Sequence, residues 1–232
     1  MMGPYWSVSK YQDIMYVDSH HELFSSQQQK GGIALGGIRQ DDQYALPMFI
    51  QEDPPKHDAQ RKVVTPMFIP RQLADLEPLI RSRAGEILDN LPRNEEFNWV
   101  KKVSVELTAQ MLATLFDVPQ EDRLKLIEWS DTIQNLADPE FFESVDEGFQ
   151  TLFECLAYFQ ALYEQRKKEP PKFDLISMLA HDESTNNMEP MELLGNVMLL
   201  IVGGNDTTRN SISGGVLALN QNPEEYQKLL QN

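Results

Sequence analysis

Gly203-Gly204-Asn205-Asp206-Thr207-Thr208 lies in the middle of a long run, residues 191–219, and its reading decides the fold. Pro190 stands where a first-turn proline belongs, because its missing N–H would have no helical partner there. From Glu192 to Ile201 the chain is rich in Leu, Met, Val and Ile, and no charge follows Glu192 until Asp206. The run continues to Leu219, and Asn220 and Pro223 stop it. It predicts a helix of roughly 30 residues, about 45 Å long at 1.5 Å per residue. Two adjacent glycines at its centre each cost about 1 kcal/mol against alanine. A carboxylate there serves no need of an apolar helix, and such local conflicts mark functional sites. Glycines let a flat ligand lie against the backbone. A threonine hydroxyl can bond back to the carbonyl one turn earlier or donate to a ligand. The alternative is a close crossing of two helices, with Thr207 satisfied by backbone.

Composition narrows the class. The chain has 232 residues, 41% of them hydrophobic, enough for a sizeable core. Lys and Arg number 20 against 36 Asp and Glu, a net charge of −16 that argues against nucleic acid and against an anionic membrane. No apolar run reaches 18 residues, so no transmembrane helix is expected. The first residues carry neither a basic start nor a long apolar stretch, so no signal peptide is expected. A single cysteine, Cys155, allows no internal disulfide and fits a reducing cytoplasm. Its neighbours at helical spacing, Thr151, Leu152, Leu156 and Phe159, read it as a small core residue.

A second signal is Asp53-Pro54-Pro55-Lys56-His57-Asp58-Ala59-Gln60-Arg61. His57 and Arg61 stand four apart and so project from one helical face. Such a donor pair suits two carboxylates; Arg forks onto one and His adds another donor. A solvated helix start with incidental basic residues, Lys56 and Lys62 included, is the other reading.

The central stretch resembles the distal-helix motif of the cytochrome P-450 family, Ala/Gly-Gly-x-Asp/Glu-Thr-Thr/Ser, at every position. The second resembles the same family's C-helix pattern, Asp-Pro-Pro-x-His-x-x-x-Arg. The two occur in the family's order. The resemblance implies a mainly α fold, with a short N-terminal β-strand and a long central helix crossing the oxygen-binding face of a haem. It implies that Asp206 and Thr207 serve oxygen activation, and that His57 and Arg61 clamp the propionates of haem b. Gly203 and Gly204 would let oxygen and substrate approach.

The rest of the chain is read in order. Residues 5–9 alternate as a short strand does, and residues 11–19 read as an amphipathic helix carrying Tyr11, Ile14, Met15 and Val17. Residues 27–53 are irregular. Gly31, Gly32, Gly36 and Gly37 form no phosphate loop, since no Lys-Ser/Thr follows. By resemblance this loop roofs the substrate pocket, with Leu46, Met48, Phe49 and Ile50 as candidates. Helices follow at residues 70–91 (broken or started by Pro78), 99–116, 121–136, 141–168, 173–180 and 223–230. In the helix over 99–116, Val103, Leu107, Met111, Leu112 and Leu115 form the expected buried stripe. Phe141, Phe142, Phe149, Phe153 and Phe159 are core residues or, by resemblance, meet substrate.

Cys155 lacks the family's ligand context, a Phe-x-x-Gly loop leading to the cysteine. No Glu-x-x-Arg pair follows the long helix. The expectation is therefore one partial P-450 domain over residues 1–232, inactive alone, with its metal ligand beyond Asn232. The complete enzyme would be a haem-thiolate monooxygenase. Leu46-Pro47-Met48-Phe49-Ile50 and Thr208-Arg209-Asn210-Ser211 look like those of soluble bacterial alkane and fatty-acid terminal hydroxylases; Gln51-Glu52 departs from that pattern. Met48, Phe49, Leu199 and Val202 are the candidate substrate pocket. The subfamily implies O₂, an apolar small molecule, a ferredoxin and its reductase as partners. The rival is a non-catalytic acidic helical interaction module, in which residues 203–208 are a packing crossover.

Overall fold

The computed structural model describes residues 6–30, 32–33, 45–136 and 138–231. Tyr5, Gly31, Gly36 and Gly37 lie outside them. Helices dominate: α1 Tyr11–Ser19, α2 Lys56–Val64, α3 Pro70–Asp89, α4 Val105–Phe116, α5 Arg123–Gln134, α6 Val145–Arg166, α7 Leu175–His181, α8 Pro190–Gln221 and α9 Pro223–Leu230.

The expected N-terminal strand is corrected. Residues 6–9 have no regular structure, Trp6 is 96% exposed, and no strand occurs among the described residues. Alternation only selects faces; a strand also needs a neighbouring edge for its N–H and C=O groups. The expected α1 forms with the expected bounds, yet none of its residues is buried. Pro78 neither breaks nor starts a helix, because α3 runs through it.

The chain divides into two compact units. The first gathers Met1–Pro66, Glu154–Lys172 and Ile176–Val197; the second gathers Met67–Phe153, Phe173–Leu175 and Met198–Asn232. In the first, Cys155, Phe159 and Tyr163 recur every four residues along α6 and are buried, as are Leu193, Leu194 and Val197 on α8. The Tyr163 hydroxyl donates to the Thr185 carbonyl, and Thr185 Oγ1 donates to the Leu179 carbonyl at 2.7 Å. These bonds tie the loop before α8 to α6 and α7.

In the second unit, a π-helical turn, Val100–Ser104, leads into α4. Asp117 closes α4 in the left-handed region, at φ 52°. The expected stripe on α4 is only partly right. Val103 and Leu112 are buried, but Leu107, Met111 and Leu115 are half-buried. The fully covered side carries Ser104, Thr108, Ala109, Ala113 and Phe116. Four of these five side chains are small, which lets a neighbouring element approach closely, and Phe116 supplies the bulk. The phenylalanines divide: Phe149 and Phe159 are core, whereas Phe141 and Phe153 are exposed.

Candidate functional site

In the second unit the site is built on α8, whose helix continues through the glycine pair. Asn205 is fully buried at 0% exposure. Its Oδ1 accepts from Thr108 Oγ1 of α4 at 3.1 Å, and its Nδ2 donates to Ser130 Oγ of α5 at 3.1 Å. Two turns on, Ser213 Oγ lies 2.8 Å from Ser104 Oγ. One side of α8 is thereby fastened to α4 and α5.

The opposite side is open. Gly203, Gly204, Thr207, Ser211, Gly214 and Gly215 are exposed, small and within about 120° of one another around the axis. A Cβ at Gly203 would meet nothing within 4 Å, while one at Gly204 would come 2.9 Å from Leu112 Cδ2. Packing within the chain therefore does not require the first glycine, and a flexible side-chain tip is all that crowds the second. Thr207 Oγ1 donates back to the Gly203 carbonyl at 3.3 Å. Asp206 sits between the fastened and open sides. Its Oδ1 accepts from Arg209 Nη2 at 2.7 Å, and Arg209 Nη1 donates to Asp131 Oδ1 at 3.0 Å. Burial works against the Arg209 charge, but Asp206 and Asp131 more than offset it and raise its pKa. Leu199 and Val202 are half-buried.

In the first unit the site is built on α2. His57 Nδ1 lies 2.8 Å from Asp58 Oδ1, and its ring meets Phe49 edge-on at 6.3 Å. Arg61 is exposed and has no ion pair among the described residues. The segment before α2 is anchored at Asp53, whose carboxylate accepts from Ser25 Oγ at 2.6 Å and Ser26 N at 2.9 Å, with Lys30 Nζ at 3.4 Å. The Ser25 bond chiefly, then Ser26 and Lys30, hold the Asp53 pKa below its usual value against desolvation.

The first turns of α8 hold both α2 and the loop that precedes it. Gln60 Nε2 donates to Glu192 Oε1 at 2.9 Å; Lys56 Nζ lies 3.0 Å from the same oxygen and 2.9 Å from Glu52. Desolvation opposes the Lys56 charge, and the two carboxylates still raise its pKa. Asn196 Oδ1 accepts from Phe49 N at 2.8 Å. A Cβ at Gly195 would stand 2.1 Å from the Pro47 carbonyl oxygen, so only glycine allows this seat. Phe49 is buried and Met48 half-buried.

The expected residues thus fall in two sets: Met48, Phe49, His57 and Arg61 in the first unit, and Leu199, Val202, Gly203, Gly204, Asp206 and Thr207 in the second. Sequence reasoning missed Glu192, Gly195, Asn196, Asn205 and Arg209. A small and a polar residue, Gly195-Asn196, inside an apolar run were the available signal. What the two sets offer chemically is an open small-residue face beside an acid and a hydroxyl, and a cation and imidazole on one helical stripe. The bare face suits a flat group and, separately, the stripe suits carboxylates. Neither set contains a cysteine, and no group of three or more His, Cys, Asp or Glu able to hold a metal occurs among the described residues. Cys155 is buried, and burial pushes its thiol pKa far up, the opposite of a ligating thiolate. No helix among the described residues is long and apolar enough to cross a membrane.

The chain is similar to known proteins. The family model described as Cytochrome P450 matches residues 105–232. Linalool 8-monooxygenase of Pseudomonas putida is 34% identical, over 98% of this chain and 57% of that protein. Steroid C26-monooxygenase of Rhodococcus jostii is 31% identical, over 96% of this chain and 47% of that protein. The solved structure of cytochrome P450-153 from Novosphingobium aromaticivorans superposes with a TM-score of 0.87 at 44% identity, over 98% of this chain and 57% of its own. The chain spans about half the length of the curated relatives it matches.

Proposed function

The chain belongs to the cytochrome P450 family, and from that premise we propose that it is part of a haem-dependent monooxygenase that hydroxylates an apolar substrate. Both units then belong to one P450 domain. The observation that carries the reading is the open side of α8, where Gly203 leaves room that no described residue fills and Thr207 stands beside Asp206. Haem, when bound, supplies the activation of O₂ with electrons from a ferredoxin and its reductase.

The residues of this chain bind, orient and move protons. His57 and Arg61, which has no ion pair among the described residues, would hold the two propionates. Gly203 and Gly204 leave the helix surface bare, so reactants approach the backbone closely. Thr207 Oγ1 releases the Gly203 carbonyl and turns its proton to the open side. Asp206 takes a proton from water and passes it toward Thr207, and Arg209 holds that carboxylate in place between transfers. Met48 and Phe49 in the first unit, and Leu199 and Val202 in the second, each offer apolar surface to the substrate. We assign the substrate to the alkane and fatty-acid class, attacked at its terminal carbon; the resemblance carried by residues 46–50 and 208–211 and the apolar character of these four side chains support it. Cys155 is not assigned to the iron.

The test is Thr207→Ala in the complete enzyme. Reductant should still be consumed while product per reductant falls about tenfold or more, the range expected for a lost proton donor. Unchanged coupling would remove Thr207 from the proton route.

A further inference from the structure

We propose that Glu192, in the first turn of α8, is a positioning residue that sets the rotation of α2 about its own axis. It thereby sets the angle at which His57 and Arg61 meet an anionic group; this rests on the reading of those two as propionate ligands. Successive helical residues are turned by about 100°. Lys56 and Gln60, four apart, form one stripe of α2. His57 and Arg61 form the next stripe, displaced by one residue. Glu192 Oε1 grips the first stripe at both ends, taking Gln60 Nε2 at 2.9 Å and Lys56 Nζ at 3.0 Å. One oxygen thus holds two points a turn apart, and rolling α2 either way breaks at least one of them and swings the second stripe.

The other polar contacts of α2 hold it less firmly against roll. Lys56 also reaches Glu52, but Glu52 lies on the segment leading into the same helix. Ser184 Oγ donates to the Ala59 carbonyl at 3.4 Å, the edge of hydrogen-bond range. The chemistry of Gln60 points the same way. It is 3% exposed, and among the described residues its Oε1 has no partner and its side chain's one bond is to Glu192. A leucine would bury as well there and strand no polar atom. An amide kept at that cost serves orientation rather than stability.

The experiment titrates haemin, and separately haemin dimethyl ester, into the haem-free complete enzyme and reads the ratio of the two affinities. Esterification neutralises the propionates, so the ratio reports their recognition, and a general loss of stability weakens both and cancels. The wild-type enzyme should prefer the free acid by about tenfold, as charge-assisted hydrogen bonds predict. Glu192→Ala and Gln60→Leu should each bring the preference down to about twofold. Glu192→Gln, which can still accept from Gln60, should restore part of it, and Glu52→Gln should leave it intact. If His57→Ala or Arg61→Ala abolishes the preference while Glu192→Ala and Gln60→Leu keep it, the role of Glu192 is overturned and the propionate reading stands. If the wild-type enzyme shows no preference, both fall.

Discussion

The two halves of α8 use the same residue type for opposite ends. In the first half Gly195 is forced by contact, since the Pro47 carbonyl oxygen occupies the place of a Cβ. In the second half Gly203 is forced by nothing in this chain, because a Cβ there would project into open space. Buried polar groups differ in parallel. Asn196 receives a loop backbone N–H, whereas Asn205 fastens one face of the helix to α4 and α5 and leaves the other bare. A glycine inside a helix thus has two separate readings, and only the neighbouring atoms tell which one applies. One marks a seat for another part of the chain. The other marks a surface kept clear.

The contrast can be broken by substitution. Gly195→Ala should have the largest effect, destabilising the chain by about 1–3 kcal/mol or more in urea unfolding, because backbone must move to admit the methyl group. A neutral result would show that the Pro47 seat is not rigid. Asn205→Ala should cost about 1–3 kcal/mol, since Thr108 and Ser130 lose a buried partner. Hydrogen exchange should then rise in the second half of α8 before the first. Gly203→Ala should raise stability by about 0.5–1 kcal/mol, as alanine favours helix and meets no clash. Destabilisation instead would mean that this glycine, too, is a packing residue.

The smallest effect concerns acid. Asp53 has a folded pKa below its usual value of 3.8, so its contribution is present above that value and is lost as pH falls through the lower folded one. Asp53→Asn should therefore flatten the acid limb of the stability profile below about pH 4 and soften the loop seated on Gly195. Circular dichroism across that range reads it.

Helix placement was legible because it rests on local signals. The bounds of α1 came from apolar spacing, and α8 was bracketed by Pro190 and Pro223. Burial was less legible. Tyr11, Ile14 and Met15 have the spacing of a core stripe and remain exposed, while α4 and the turn leading into it bury Ser104, Thr108, Ala109 and Ala113. Hydrophobic spacing registers bulk, and a face closed by small residues has none to register. The same limit hid Glu192 and Asn205. Their importance lies in partners 132 and 97 residues away, which no local pattern contains. The false strand at residues 6–9 has a related cause, since alternation says nothing about the partner it needs.

Three hydroxyls on α8 return to carbonyls one turn earlier: Ser211 to Thr207 at 2.7 Å, Ser213 to Arg209 at 2.9 Å, and Thr207 to Gly203 at 3.3 Å. The longest tether belongs to Thr207, the residue to which we assign the proton route. A χ1 rotation is enough to undo it, with the helical ladder left whole, so Thr207 is parked at the roadside rather than built into the wall. Whatever drifts up to that bare strip finds a donor already idling.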